Sequence, residues 1–300
     1  MALHGKHLLL IALAFTAVAP AFADSVVYIV TGGQQFGTMD LNTGVFSQIG
    51  PNTPEAEDGL APGPNGSLLT LTVSGNLDSI NPATGMTTKI GPTGLGDCTS
   101  PASPCGPNSA DTLVGFGGKL YATDVSNNLY LVNPTTGVAK LIGPTGIPPL
   151  PFKLQTTNPD GSIDGIDAAV FAANGKLYET FDAIKLYFSP FKVTPVIAPD
   201  LWQINPDTGR AAEIGPTTLT LGTAAEVDGT VYAFENMTNQ VLTLDLSNGN
   251  TSAFSAYNPG VGLVLGASPV PEPSSLAFVF VAITVLGLWS VRRSRHCSQV

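Results

Sequence analysis

The chemistry open to this chain is set by where its few reactive side chains fall. All three histidines, His4, His7 and His296, sit at the extreme ends of a 300-residue sequence. Cys297 is also terminal, while Cys98 and Cys105 share one short segment rich in Ser and Pro. Without His, the long middle of the chain lacks the usual general base near neutral pH and the commonest zinc ligand. A Ser-His-Asp or Cys-His arrangement within that stretch is excluded. What remains is carboxylate: Asp58 with Glu57 beside it, Asp111, and Asp164 with Asp167 close by. Grouped carboxylates suit Ca²⁺, which takes oxygen ligands, or a pair acting as acid and base on a glycosidic bond. Asp in Asp-Gly and similar contexts also makes local turn hydrogen bonds, so both readings of these residues stay open.

The elements that must position them are short and turn-rich. Gly (33) and Pro (25) together make up about 19% of the chain, charged residues only 11%, and hydrophobic residues 43%. That composition fits a β-fold with many turns better than a disordered chain. No basic block precedes the C-terminal Arg cluster, so phosphate-backbone contacts lack their Lys and Arg, and nucleic acid is not an expected partner.

Both ends read as addresses. Residues 1–23 have the form of a secretory signal: Lys6 in a positive n-region, an apolar run from Leu8 to Val18, and Ala21-Phe22-Ala23 as an A-x-A cleavage site. Near the other end, Val270-Pro271-Glu272-Pro273 precedes an apolar run, Leu276 to Val291, and then Arg292, Arg293 and Arg295. As a helix the run spans roughly 24 Å, slightly less than a bilayer core, and the basic residues after it belong on the cytoplasmic side. This order of motif, span and Arg cluster resembles the PEP-CTERM sorting signal of Gram-negative bacteria, over about the last 30 residues. The resemblance implies an inner-membrane tether at about 276–291, processing by an exosortase-like enzyme, and delivery to the envelope or exopolysaccharide layer. A plain single-span anchor is the simpler alternative.

Removal of both ends leaves an acidic body. Over residues 24–273, eight basic residues against 22 acidic ones give a formal charge of −14. In an exported protein Cys98 and Cys105 are expected to form a local disulfide; a metal site built on two thiols is the weaker option.

A repeated unit organises that body. An Asn or Asp is followed four residues later by Gly at Asp40–Gly44, Asn81–Gly85, Asn133–Gly137, Asn205–Gly209 and Asp245–Gly249. The residue before the Asn or Asp is always apolar, and so is the residue five after the Gly; in the first four units that residue is an Ile followed by Gly-Pro. A second landmark lies upstream: Val27-Tyr28, Leu68-Leu69, Leu120-Tyr121, Leu177-Tyr178 and Val231-Tyr232, at gaps of 12, 12, 12, 27 and 13 residues from the Asn or Asp. Each unit supplies four short strands, the size of a propeller blade. The spacing predicts an all-β, five-bladed propeller over residues 24–268, with four-stranded antiparallel blades. The first unit lacks an innermost strand, and Val261 to Ala267 is expected to supply it and close the ring. The repeats resemble those of bacterial β-propellers, a likeness of fold that carries no activity.

The longest connections are Gly94 to Asp111, Gly146 to Asp164, and an insert from Asp182 to Pro199 within the fourth unit. Propeller topology assigns all three to one face, where Asp58, Asp111, Asp164 and Asp167 are expected to gather near the axis. The blade-four insert, with Leu186, Tyr187, Phe188, Phe191 and Val193, reads as an apolar loop that packs onto its own blades or serves as a lid. Trp202 reads as inter-blade core. Two function classes follow. One is a non-catalytic surface or matrix protein that binds an exopolysaccharide, ion or envelope component; it needs no cofactor, with Ca²⁺ the single candidate. The other is an exported carboxylate- or Ca²⁺-dependent hydrolase or lyase acting on a glycan or ester.

Overall fold

The strands follow from the turns. In each c–d turn (strands a to d counted outward from the axis) the Asn or Asp side chain accepts from the backbone two residues on, as Asn81 Oδ1 does from Ala83 N at 2.9 Å. Its carbonyl accepts from the Gly four residues on, Gly85 N to Asn81 O at 2.8 Å. The same turn recurs at Asp40, Asn133, Asn205 and Asp245.

A computed structural model describes residues 25–95, 110–148, 158–188, 191–219 and 222–270. Blade one contains β1 (Val26–Thr31), β2 (Phe36–Asp40) and β3 (Val45–Gln48). Blade two contains β4 (Glu57–Pro62), β5 (Leu68–Thr72), β6 (Asn76–Ile80) and β7 (Thr87–Pro92). Blade three contains β8 (Ala110–Phe116), β9 (Lys119–Asp124), β10 (Asn128–Val132) and β11 (Ala139–Pro144). Blade four has β12 (Ile163–Ala173), β13 (Lys176–Phe188), β14 (Phe191–Ile204) and β15 (Ala211–Pro216). Blade five has β16 (Thr223–Val227), β17 (Thr230–Glu235), β18 (Gln240–Leu244) and β19 (Thr251–Ala256).

The last strand, β20 (Val264–Pro269), pairs antiparallel with β1 and becomes the innermost strand of blade one. All five sheets are four-stranded and antiparallel, and inner strands β20, β4, β8, β12 and β16 neighbour one another in a closed circuit. The fivefold propeller expected from the repeats is therefore the fold, with the closing strand running two residues beyond the expected Ala267. Closure removes the exposed inner edge that an open blade would present.

Side chains from both faces of each blade meet those of its neighbours. Leu68 and Ile80 of blade two pack with Val30 and Phe36 of blade one; Leu177 and Ile204 of blade four pack with Tyr121 and Leu129 of blade three. At the rim, the turn glycine of each blade presses on the last strand of the blade before it. A Cβ on Gly137 would lie 2.6 Å from the Gly91 carbonyl oxygen, and one on Gly91 would lie 2.4 Å from the Thr136 carbonyl oxygen. The same contact joins Gly85 to Ile49, Gly209 to Gly143, Gly249 to Pro216 and Gly44 to Ala256. The Gly of the Ile-Gly-Pro repeats thus marks where the next blade touches. Backbone bonds reinforce the seam, with Ala139 N to Thr93 O at 2.9 Å and Ala211 N to Thr145 O at 2.8 Å.

Blade four differs from its expected form. The insert from Asp182 to Pro199 is a continuation of β13 and β14, not a loop, and Phe188 pairs with Phe191 across a two-residue connection. β12 lengthens with them, pairing from Ile163–Leu186 to Ala173–Lys176. Runs such as Ala183-Ile184-Lys185-Leu186-Tyr187-Phe188 are rich in the aliphatic and aromatic residues that suit a strand. Among the described residues no helix is long and apolar enough to cross a membrane. The expected signal segment with Ala21 and Ala23, the Cys98–Cys105 pair, and the tail from Pro271 through Glu272, Pro273, Arg292, Arg293 and Arg295 lie outside the described residues; Val270 is the last described one.

Candidate functional site

Each inner strand starts at the face from which the long connections leave. Strand b returns to that face and turns into strand c. A buried acceptor caps that turn at the third residue after the landmark position. Thr31 Oγ1 accepts from Gln35 N and Thr72 Oγ1 from Asn76 N, at 3.3 and 3.2 Å. Asp124 accepts from Ser126 N and Asn128 N, both at 2.9 Å, and from the Tyr130 hydroxyl at 2.8 Å. Glu235 accepts from Met237 N at 3.1 Å and Thr238 N at 2.7 Å. Blade four has Phe181 at this place because its strand runs on. Burial and the hydrogen-bonded Asp124 carboxylate together push the Tyr130 phenol above its ordinary value.

The register of the inner strands locates the acidic residues proposed from the sequence. Ala61, Val114, Phe171, Ala225 and Ser268 lie opposite the landmark residues of strand b. Asp58 pairs with Leu71, two residues past the landmark, and Asp111 lies in the bulge between the Ala110–Asp124 and Thr112–Thr123 pairs, so the two stand at nearly one level. Asp164 and Asp167 precede the position opposite the landmark by seven and four residues. Asp167 is opposite Asp182, and Asp164 is opposite Lys185 on the extension of blade four. The level of Asp58 is taken in blades four, five and one by Ala169, Thr223 and Gly266. Among the described residues no group of three or more His, Cys, Asp or Glu is arranged to hold a metal ion.

On the axis, a cavity of about 170 Å³ is lined by all five inner strands, including Leu60, Val114, Phe171, Ala225 and Ser268. It lies toward the a–b turns, at the opposite end of the inner strands from Asp58. Its described lining has one carboxylate, Glu226, which accepts from Asn174 N at 3.0 Å. The Ser268 hydroxyl is buried there without a hydrogen-bond partner.

Of two buried glutamates, the sequence reading named Glu57 beside Asp58 and missed Glu179. Glu179 is 0% exposed and neither carboxylate oxygen has a partner. It faces blade three with Trp202, directly opposite on β14, and the Trp202 indole N–H is also buried and unpartnered. Burial first, then the charge of Asp124, pushes the Glu179 carboxyl up to about 8. Glu57 is similarly buried, and burial followed by the Asp78 charge raises its carboxyl to about 8. One signal for Glu179 was present. Aligned on the landmark, it stands where the other blades have Ile29, Thr70, Ala122 and Ala233.

No family model and no curated protein matches the chain. Solved structures similar to it include one from a nidogen/laminin complex, at 12% identity and a TM-score of 0.47, covering 81% of this chain and 97% of that one. Another is a PQQ-bound aldose sugar dehydrogenase from Streptomyces coelicolor, at 14% identity and a TM-score of 0.40, covering 82% and 89%. A third is a protein of unknown function from Bacteroides caccae, at 12% identity and a TM-score of 0.41, covering 82% and 99%. At these identities nothing those proteins bind or catalyse transfers to this chain.

Proposed function

We propose that the chain is an exported propeller, sorted to the cell envelope or extracellular matrix by its C-terminal tail, that binds an exopolysaccharide or other envelope component without catalysing a reaction. The observation that carries this reading is topological. The connections from β7 to β8 and from β11 to β12, and the extended hairpin of blade four, all belong to one face of a closed ring. Long segments on a rigid scaffold are where binding usually resides.

The tail fits the same reading. The ring closes with β20, which ends at Pro269, and the Val270-Pro271-Glu272-Pro273 motif begins at the next residue. Cleavage by an exosortase-like enzyme at that motif would free the body without removing a strand. Before cleavage, the span at 276–291 would hold the chain in the inner membrane. Two further observations favour binding over chemistry: the body has no histidine, and its buried high-pKa glutamates lie in inter-blade seams.

The test expresses the full chain in an exopolysaccharide-producing Gram-negative host that has an exosortase-type system. Expected results are a processed form in the envelope or matrix fraction and retention of a Pro271→Ala/Glu272→Ala variant in the inner membrane. The released form should co-sediment with the host polysaccharide, and Asp111→Asn or Asp164→Asn should weaken this. Identical fractionation of wild type and tail variant, with no polysaccharide bound, refutes the proposal.

A further inference from the structure

Glu57 opens β4 and pairs with Thr72 on β5, while Thr70 pairs with Asp78 on β6. Residues two apart on a strand share a face. Glu57, Thr70, Thr72 and Asp78 therefore stand on one side of blade two. Leu68 and Ile80, on that same side, pack against Val30 and Phe36 of blade one, so both carboxylates occupy the seam between blades one and two. Glu57 is 1% exposed and Asp78 is 8% exposed. Both oxygens of Glu57 and Oδ1 of Asp78 are buried with no hydrogen bond of good geometry; the Thr70 hydroxyl, which donates to Gly59 O at 2.9 Å, is the neighbouring group that favours the charged form of Glu57.

The end of the seam is roofed by the segment entering β4. Val73 N donates to Ala56 O at 3.1 Å, and Ser74 N donates to Glu55 Oε2 at 3.2 Å. Glu55 and Asp58 add negative charge nearby, and the exposed Lys89, opposite Asp78 on β7, is the one cation acting on the pair. The residues blade one presents, Val30, Phe36 and Tyr28, carry no charge.

We propose that this seam is a calcium site, with Glu57 and Asp78 as its charged ligands. Three buried carboxylate oxygens without well-formed hydrogen bonds in one seam are a costly arrangement, since a buried polar group without a partner is destabilising. A proton shared between the two carboxyls satisfies one contact and leaves another Glu57 oxygen unpartnered. Water supplies donors but does not offset the burial and the mutual repulsion of the two carboxyls, which hold Glu57 well above the ordinary carboxylate range. A divalent cation meets all three oxygens and both charges at once.

The ligand set is oxygen only, which selects a hard cation. Mg²⁺ holds its waters and demands near-octahedral geometry, whereas Ca²⁺ accepts irregular protein oxygens. With two carboxylates and the remaining positions left to Thr hydroxyls, backbone carbonyls and water, the affinity belongs to the weak class, at about 10⁻⁴ to 10⁻³ M. The site lies in the seam between the first two blades, and both of its charged ligands come from blade two. It does not depend on the proposed sorting or on a glycan ligand.

Thermal melting of the full chain with EDTA and with Ca²⁺ at about 5 mM tests this. Binding of this strength raises Tm by about 3–8 °C. Glu57→Gln removes most of that rise while melting at or above the wild type in EDTA, because a buried charge has become a neutral isostere. Asp78→Asn reduces the rise in the same way. Glu226→Gln, in the axial cavity, keeps it, and Mg²⁺ gives a smaller one. A wild type that does not respond to Ca²⁺ overturns the proposal and favours the shared proton. A Glu57→Gln chain that retains the full response also overturns it, by moving the site elsewhere.

Discussion

The seam between blades two and three allows steric and conformational demands on glycine to be separated by three substitutions. Gly94→Ala changes only the backbone: its φ is +80° and nothing lies within 4 Å of the added Cβ. The left-handed region costs an L-residue about 1–2 kcal/mol, and the stiffer unfolded chain returns about 0.4–1 kcal/mol. The net loss is about 1 kcal/mol. Gly91→Ala changes only the packing, because its φ is not positive but its Cβ would stand 2.4 Å from the Thr136 carbonyl oxygen. Backbone on both sides cannot swing away, so the overpacking cost of about 1–3 kcal/mol applies. Gly137→Ala combines the two, with φ +82° and a Cβ 2.6 Å from the Gly91 oxygen, and should lose about 2–5 kcal/mol. For a domain of this size each kcal/mol moves Tm by about 2–4 °C. Calorimetry should therefore show a drop of about 3 °C for Gly94→Ala and about 5–15 °C for Gly137→Ala, with Gly91→Ala between them. The Gly91→Ala/Gly137→Ala double variant should lose less than the sum, since both press on one seam. If Gly137→Ala melts with Gly94→Ala, or Gly91→Ala is silent, the rim contact is not what demands glycine.

Three further outcomes follow. Asp124→Ala removes the acceptor for two backbone N–H groups and the Tyr130 hydroxyl; it should lose roughly 2–4 kcal/mol in urea unfolding, and Asp124→Asn clearly less. Glu179→Gln should raise Tm at pH 9 and leave it nearly unchanged at pH 4. Below its ordinary value of 4.5 the carboxyl is protonated in both states; as pH climbs toward about 8 the unfolded chain ionises first and stability falls, by a few kcal/mol in all. Parallel wild-type and variant curves across that range would refute this reading of the buried glutamate. Chains ending after Pro269 should melt like the full protein, whereas chains ending before Val264 lose the partner of β1 and should not melt cooperatively; equal cooperativity in both would mean that β20 does not close the ring.

The architecture was legible because its signal is local and repeated. The Asn/Asp-to-Gly spacing specifies a turn within five residues, and the landmark pair sits a fixed distance upstream, so five units declared themselves without any long-range contact. The Ile-Gly-Pro repeats were equally visible, but their reason was not. Gly91 answers to Thr136, 45 residues away in sequence, and only closure of the blades brings the two together. The blade-four insert looked like a loop because it broke the spacing, although its own residues are of strand-forming types and pair as far as Phe188 with Phe191. Counting residues along the chain grouped Asp58, Asp111 and Asp164, but counting ignores register. Bulges fall between Asp58 and Ala61 and between Ala110 and Thr112, and β12 begins well before its neighbours' level.

The buried glutamates also show how the seams are graded. Near the landmark position the seams at Leu68–Ile80 and at Leu177–Ile204 are apolar. One step toward the face of the long connections, blade two has Thr70 and Asp78, and blade four has Glu179 and Trp202 with unpartnered polar atoms. Hydrophobic burial is non-directional and holds the blades wherever it lies, so ring stability can be concentrated at the landmark layer and the rim clasps. Polar atoms left without protein partners lower stability locally, and a fold keeps such groups where the surrounding structure over-determines them. The unpartnered carboxylates Glu57, Asp78 and Glu179 stand on the side of the landmark layer nearer the face from which the long connections leave, which links the energetics of the seams to the surface proposed to bind.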